Sequence, residues 1–134
     1  MRQVTLAATQ MACGPDRAAN VANAKKLVRQ AKATGAQVIL IQELFETPYF
    51  CKDQAAKHFA LAEPFEKNAL IAEFSALARE LNVVLPLSYF ERANNAHFNS
   101  LAMIDADGAV LGNYRKSHIP DGPGYQEKFY FNPG

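Results

Sequence analysis

Residues 38–50 read VILIQELFETPYF. Val38 to Ile41 is an unbroken run of branched aliphatic side chains. A short run without polar alternation predicts a strand covered on both faces, as in a parallel sheet. It leads straight into Gln42 and Glu43. In open α/β sheets, sites form beyond the carboxyl ends of the strands, so Glu43 is placed to be a working carboxylate. The plainer alternative is a glutamate tied to a structural Arg or Lys, or one facing water.

Toward the N-terminus, Val4–Thr9 reads as a first strand. Gly14-Pro15-Asp16 is a turn, and Asp16 is placed to cap a helix over Arg17–Thr34. Val21, Ala24, Leu27, Val28 and Ala31 form one apolar face of that helix, and Gly35 ends it. Strand, helix, strand predicts a right-handed crossover and a parallel pair. Toward the C-terminus, residues 47–57 read as loop and Phe65–Leu81 as a second helix. Val83–Leu87 reads as a strand. Phe98–Ile104 and Ala109–Tyr114 flank Asp105-Ala106-Asp107-Gly108, a hairpin signal. Beyond Lys116 the chain is a long loop rich in Pro and Gly. The expected class is α/β.

Hydrophobic residues make up 49% of the chain and charged residues 20%, a globular composition. Lys plus Arg is 14 and Asp plus Glu is 13, so no basic excess invites nucleic acid. No stretch approaches the roughly 18 apolar residues of a membrane span, and the opening residues lack the apolar region of a secretory signal. Cys13 and Cys51 lie far apart and read as free thiols of a reducing compartment, so a cytoplasmic location is expected. His58, His97 and His118 show no metal-ligand spacing, and there is no glycine-rich phosphate loop. Neither metal nor cofactor is expected; the partner expected is a small-molecule substrate.

Lys116 closes the Tyr114-Arg115-Lys116 strand end. It is placed to meet Glu43 across adjacent strand ends, where a fixed positive charge stabilises a developing oxyanion; the plainer alternative is an ordinary basic strand terminus. Glu127, in the loop, is a candidate to hold the lysine in place. Glu46 competes with Glu43 but is expected to be exposed. Neither cysteine has a neighbouring His or a glycine elbow to activate it. Two other classes stay open: a cysteine hydrolase using Cys51 with His58 or His118, and a non-catalytic interaction module.

Four stretches, VTLAATQM (4–11), LIQELFETPYF (40–50), NSLAMIDADG (99–108) and VLGNYRKSHIPDGPGYQEKFYFNPG (110–134), resemble the nitrilase superfamily of carbon–nitrogen hydrolases. The order and spacing cover essentially the whole chain. The resemblance implies the N-terminal half of an α-β-β-α sandwich. Residues 1–134 are then the N-terminal part of a carbon–nitrogen hydrolase domain whose nucleophilic cysteine lies beyond them. It implies a Glu–Lys–Cys triad in which Glu43 is the general base, Lys116 stabilises the tetrahedral intermediate and Glu127 helps position the site. Neither Cys13 nor Cys51 stands in the nucleophile's context. A small linear amide or ureido substrate is implied, with no cofactor and a homo-oligomeric complete protein. Glu46, Tyr49 and Tyr125 are candidates to read a cationic substrate tail.

Overall fold

The computed structural model describes residues 3–134. Met1 and Arg2, with which the expected domain opens, lie outside the described residues. Strands β1 (Leu6–Ala8) and β2 (Val38–Leu40) pair in parallel, with helix α1 (Arg17–Ala33) between them in sequence. Asp16 caps α1 as expected, accepting from the Ala19 N–H at 3.1 Å. The buried stripe of α1 includes Val21, Ala24 and Val28.

Helix α2 (Ala69–Leu81) begins later than the expected Phe65. Phe65–Lys67 is a separate 3-10 turn, and Asn68 then caps α2 by accepting from the Ile71 N–H at 3.1 Å. Phe65 fits the apolar period, but the side chain of Asn68 competes with the backbone and starts the helix afresh. Two more 3-10 turns, Phe50–Lys52 and Ala56–Leu61, occupy the region around the expected 47–57 loop.

Strand β3 (Leu85–Ala93) runs well past the expected end at Leu87 and turns at Asn94, φ 54°, into β4 (Ala96–Ile104). The strand continues through Ser88, Glu91 and Arg92, polar residues that break the apolar run ending at Leu87. Glu91 is 2% exposed, so a charge lies inside the sheet. The hairpin into β5 (Val110–Arg115) forms where Asp105–Gly108 predicts it. Gly108 has φ 85°, and a Cβ there would stand 2.6 Å from the Ser75 carbonyl, so both conformation and contact require glycine. Ile39 N–H donates to Val84 at 3.0 Å, and Val84 N–H to Gln37 at 2.9 Å. Through Val84, just before β3, these bonds bridge the two-stranded sheet β1-β2 to the three-stranded sheet β3-β4-β5.

Alternation then sorts the side chains. One face carries Ile39, Leu85, Leu87, Tyr89, Ala102 and Ile104 against α1 and α2. Glu91 extends this face. It accepts from Arg115 Nη2 at 2.6 Å, Arg115 Nε at 2.9 Å, Ser100 at 2.6 Å and Asn113 at 2.9 Å. The opposite face is covered at one end by Leu44, Phe50, Phe90, Tyr130 and Phe131. The rest of that face is bare and apolar: Leu6 is 72% exposed, Leu40 47%, Met103 36% and Tyr114 60%.

Burial pushes the Glu91 carboxyl up, but the donors from Arg115, Ser100 and Asn113 outweigh it and leave it below the usual carboxylate range. A depressed carboxyl adds stability above its unfolded value and loses it as pH falls through the folded value. Glu91→Gln should therefore flatten the acid side of the stability curve, read as urea midpoint against pH below about 5. A variant curve running parallel to wild type throughout that range would remove Glu91 from the acid sensitivity.

Candidate active site

After β2 the chain is stitched to the segment after β1. Gln42 accepts from the Met11 N–H at 2.7 Å and donates to the Met11 carbonyl at 2.9 Å. Leu44 then takes a left-handed conformation, φ 51°. A non-glycine residue there costs on the order of 1–3 kcal/mol and persists only where its surroundings fix it. The fixing contacts are the Leu44 N–H, which donates to Ser88 Oγ at 3.0 Å, and the buried Leu44 side chain. This turn carries Glu43 over the open face of β3 and β4. The expectation of adjacent strand ends is therefore corrected: β3 and β4 lie between β2 and β5, and the loop after β2 spans them.

Lys116 follows β5, its N–H donating to the Asn99 carbonyl at 2.9 Å. Its Nζ lies 3.1 Å from Glu43 Oε1 and 2.8 Å from Glu127 Oε2. Glu127 starts a 3-10 turn and its side chain is 4% exposed, unlike an ordinary loop glutamate. Its other oxygen accepts from Tyr49 Oη at 2.8 Å. Burial pulls the Lys116 ammonium down, and the hydrogen bonds and charges of Glu127 and Glu43 more than offset it, so the net direction is up. Lys116 is thus a fixed cation, suited to stabilising an oxyanion rather than to moving protons.

Asn99 was missed. It is 5% exposed, and its Nδ2 donates to Glu43 Oε1 at 2.5 Å. An amide between Phe98 and the apolar run Leu101–Ile104, in a strand expected to be buried, was the available signal. A hollow of about 280 Å3 opens beside these groups, with Ser88, Leu101, Leu40 and Tyr114 in its walls.

The three candidates for a substrate tail lie elsewhere. Glu46 is not the exposed residue expected: it pairs with Arg17, and its side chain is 15% exposed. Burial pushes its carboxyl up against the pull of Arg17. Tyr49 holds Glu127, and Tyr125 lies in the open against Gly122.

Cys51 is fully buried, and burial, followed by the negative charge of Glu127, pushes its thiol up to about 12. His58 stacks on Phe50 at 5.5 Å, and no hydrogen bond joins Cys51 to His58 or His118 among the described residues. Cys13 accepts from Gln42 at 3.2 Å, and burial raises its thiol too. Neither thiol has the setting of a nucleophile. Among the described residues no cluster of His, Cys, Asp and Glu is arranged to hold a metal ion.

A parallel strand pair leading into an antiparallel three-strand meander, with a lysine between two glutamates on its open face, defines a class. Residues 5–134 match the model of the carbon-nitrogen hydrolase family, and the chain belongs to that family. It is 59% identical over 133 residues to the N-carbamoylputrescine amidase of Arabidopsis thaliana, covering 99% of this chain and 44% of that protein. It is 46% identical to the citrullinase of Francisella tularensis, covering 100% of this chain and 47% of that protein. The crystal structure of a carbon-nitrogen hydrolase from Helicobacter pylori G27 superposes with TM-score 0.89 at 40% identity, over 98% of this chain and 45% of that one. The chain thus spans less than half the length of these relatives, and its fold is the α/β fold of nitrilase-superfamily structures.

Iodoacetamide separates the family reading from a Cys51 hydrolase. At neutral pH, Cys51 should react on the order of a thousandfold more slowly than an unperturbed thiol, because so little of it is thiolate. Rapid labelling of Cys51 would reinstate the cysteine-hydrolase alternative.

Proposed function

We propose that residues 1–134 are the N-terminal part of an amidohydrolase that converts N-carbamoylputrescine to putrescine, carbon dioxide and ammonia. The observation that carries this reading is Lys116 held between Glu43 and Glu127 at 3.1 and 2.8 Å beside an open hollow. Identities of 58–61% to four plant N-carbamoylputrescine amidases support the substrate. The bare apolar face supports a second layer of the sandwich, contributed by chain beyond this segment and carrying the nucleophilic cysteine.

In this mechanism Glu43 takes the thiol proton and the sulfur attacks the ureido carbon. Lys116 stabilises the oxyanion. Collapse expels ammonia, protonated through Glu43, and leaves a thiocarbamate on the cysteine. Glu43 then takes a proton from water, which attacks the thiocarbamate carbon. The thiolate leaves, and the carbamic acid released falls apart to putrescine and carbon dioxide. Glu127 and Tyr49 keep Lys116 in place. The same reading puts the complete enzyme in the cytoplasm as a homo-oligomer without nucleic-acid or membrane partners. Among the described residues no helix is long and apolar enough to cross a membrane.

A second reading, another ureido amidase of the family, draws on the 46% identity to citrullinase and on the hollow itself. Beyond Glu43, no carboxylate lines that hollow, and Glu46 is occupied by Arg17. This segment therefore suits the ureido head common to both substrates and leaves the tail to other residues.

Ammonia release from N-carbamoylputrescine by the complete enzyme tests the proposal. Glu43→Gln should lower kcat by about three orders of magnitude, as should Lys116→Met. The 134-residue chain alone should show no turnover. Turnover by this chain alone that Glu43→Gln abolishes would sink the claim that the nucleophile lies outside it. Wild-type rates in Glu43→Gln would sink the base assignment and favour an interaction module.

A further inference from the structure

Glu43 presents its two oxygens to very different surroundings. Oε1 receives Lys116 Nζ at 3.1 Å and Asn99 Nδ2 at 2.5 Å. Oε2 receives no donor among the described residues. Each donated hydrogen bond draws electron density toward its own oxygen and makes that oxygen a poorer proton acceptor. We propose that Asn99 is a positioning residue that, with Lys116, saturates Oε1 of Glu43 and so makes Oε2 the oxygen that moves protons. This rests on the reading of Glu43 as general base.

Asn99 is built to do this. It sits opposite Phe90 in the β3–β4 register, and Phe90 is clamped by Phe50 at 5.3 Å and Phe131 at 5.0 Å. Its carbonyl accepts from the Lys116 N–H at 2.9 Å, so one residue fixes the Lys116 backbone and the Glu43 side chain. The carboxamide can point only one way, because a flipped amide would set its oxygen against a carboxylate oxygen. With Oε1 occupied, rotation of the carboxylate would break two bonds at once. The step assigned to Oε2 is simple: the S–H bond of the family's nucleophile breaks, its electron pair stays on sulfur, and an O–H bond forms at Oε2. In the second half of the reaction the proton acceptor is the same atom and the donor is water.

The test uses the complete enzyme. Asn99→Leu keeps the size of the side chain and removes the donor. Its kcat for N-carbamoylputrescine should fall at least about tenfold while KM stays within about threefold, because the bond acts through the base and not on the substrate. Asn99→Asp keeps the shape and replaces the donor with a second carboxylate. Its acid limb in kcat/KM should move to higher pH by about one unit, since two carboxylates then compete for one site. Lys116, Glu127, Tyr49, Cys51 and Tyr114, the other titratable groups around Glu43, are unchanged in both variants. A raised KM with unchanged kcat in Asn99→Leu, or an unmoved acid limb in Asn99→Asp, overturns the proposal. Should Asn99→Leu fail to fold, the acid limb of Asn99→Asp decides alone. Should the wild-type enzyme ignore N-carbamoylputrescine, only the substrate reading falls. Alkylation of the nucleophilic thiol by iodoacetamide then decides: about tenfold slowing in Asn99→Leu supports Asn99, and an unchanged rate overturns it.

Discussion

One cation stands between two carboxylates, and the rest of the site follows from that imbalance. Glu127 is 4% exposed and Glu43 is 50% exposed. A buried charge survives only when it is paired and hydrogen-bonded, so the ammonium of Lys116 is first the partner of Glu127. Tyr49 takes the other Glu127 oxygen and completes that pairing. Glu43 is then surplus to neutralisation. Lys116 and Glu127 neutralise each other without it. On the proposed reading the same arithmetic separates two roles: a cation fixed upward in pKa supplies field, and the half-exposed carboxylate is left for proton transfer.

These groups are far apart in sequence, and no regular element alone brings them together. Two apolar clusters on opposite faces of one sheet do so. The helix-side cluster fixes the strands. The aromatic cluster on the other face pins two loops to them and to each other. Gln126 N–H donates to the Cys51 carbonyl at 2.6 Å, and Tyr130 Oη donates to the Asp53 carbonyl at 2.6 Å while accepting from the Ala55 N–H at 2.9 Å. The loop bearing Tyr49 and the segment bearing Glu127 are thus one body. Cys51 belongs to this scaffold; the burial that makes it inert as a nucleophile makes it useful as filling.

Glu43 was legible because an aliphatic run stops and a charge follows, and Lys116 because Tyr114-Arg115-Lys116 closes the last strand before the Pro- and Gly-rich loop. Glu127 was legible as a loop residue placed to hold Lys116, but its burial was not, since nothing in the local sequence marks a loop glutamate as 4% exposed. Tyr49 was legible as a candidate but not in its role. A tyrosine beside a loop proline looks like a surface for substrate, and only the folded chain shows its hydroxyl spent on Glu127. Glu91 was missed. The apolar run predicts a strand ending at Leu87, four residues short of it, whereas Arg115, Ser100 and Asn113 supply enough donors to hold its charge within the sheet. Local pattern shows where a charge stands and says nothing of its partner across the sheet.

The bare face beside the site links stability to chemistry. Leu6, Leu40, Met103 and Tyr114 stand in water on the same sheet face as Glu43 and Lys116. In water two charges about 4 Å apart attract by about 1 kcal/mol, and at an effective dielectric of 20 by about 4. A layer laid on this face would remove apolar surface from water at about 25 cal/mol per Å2. It would also dry the Glu43–Lys116 pair and strengthen the field of Lys116 on a developing oxyanion. On the proposed reading, covering the face and arming the site are a single event: Leu40 and Tyr114 belong both to the bare face and to the wall of the hollow that such a layer would close.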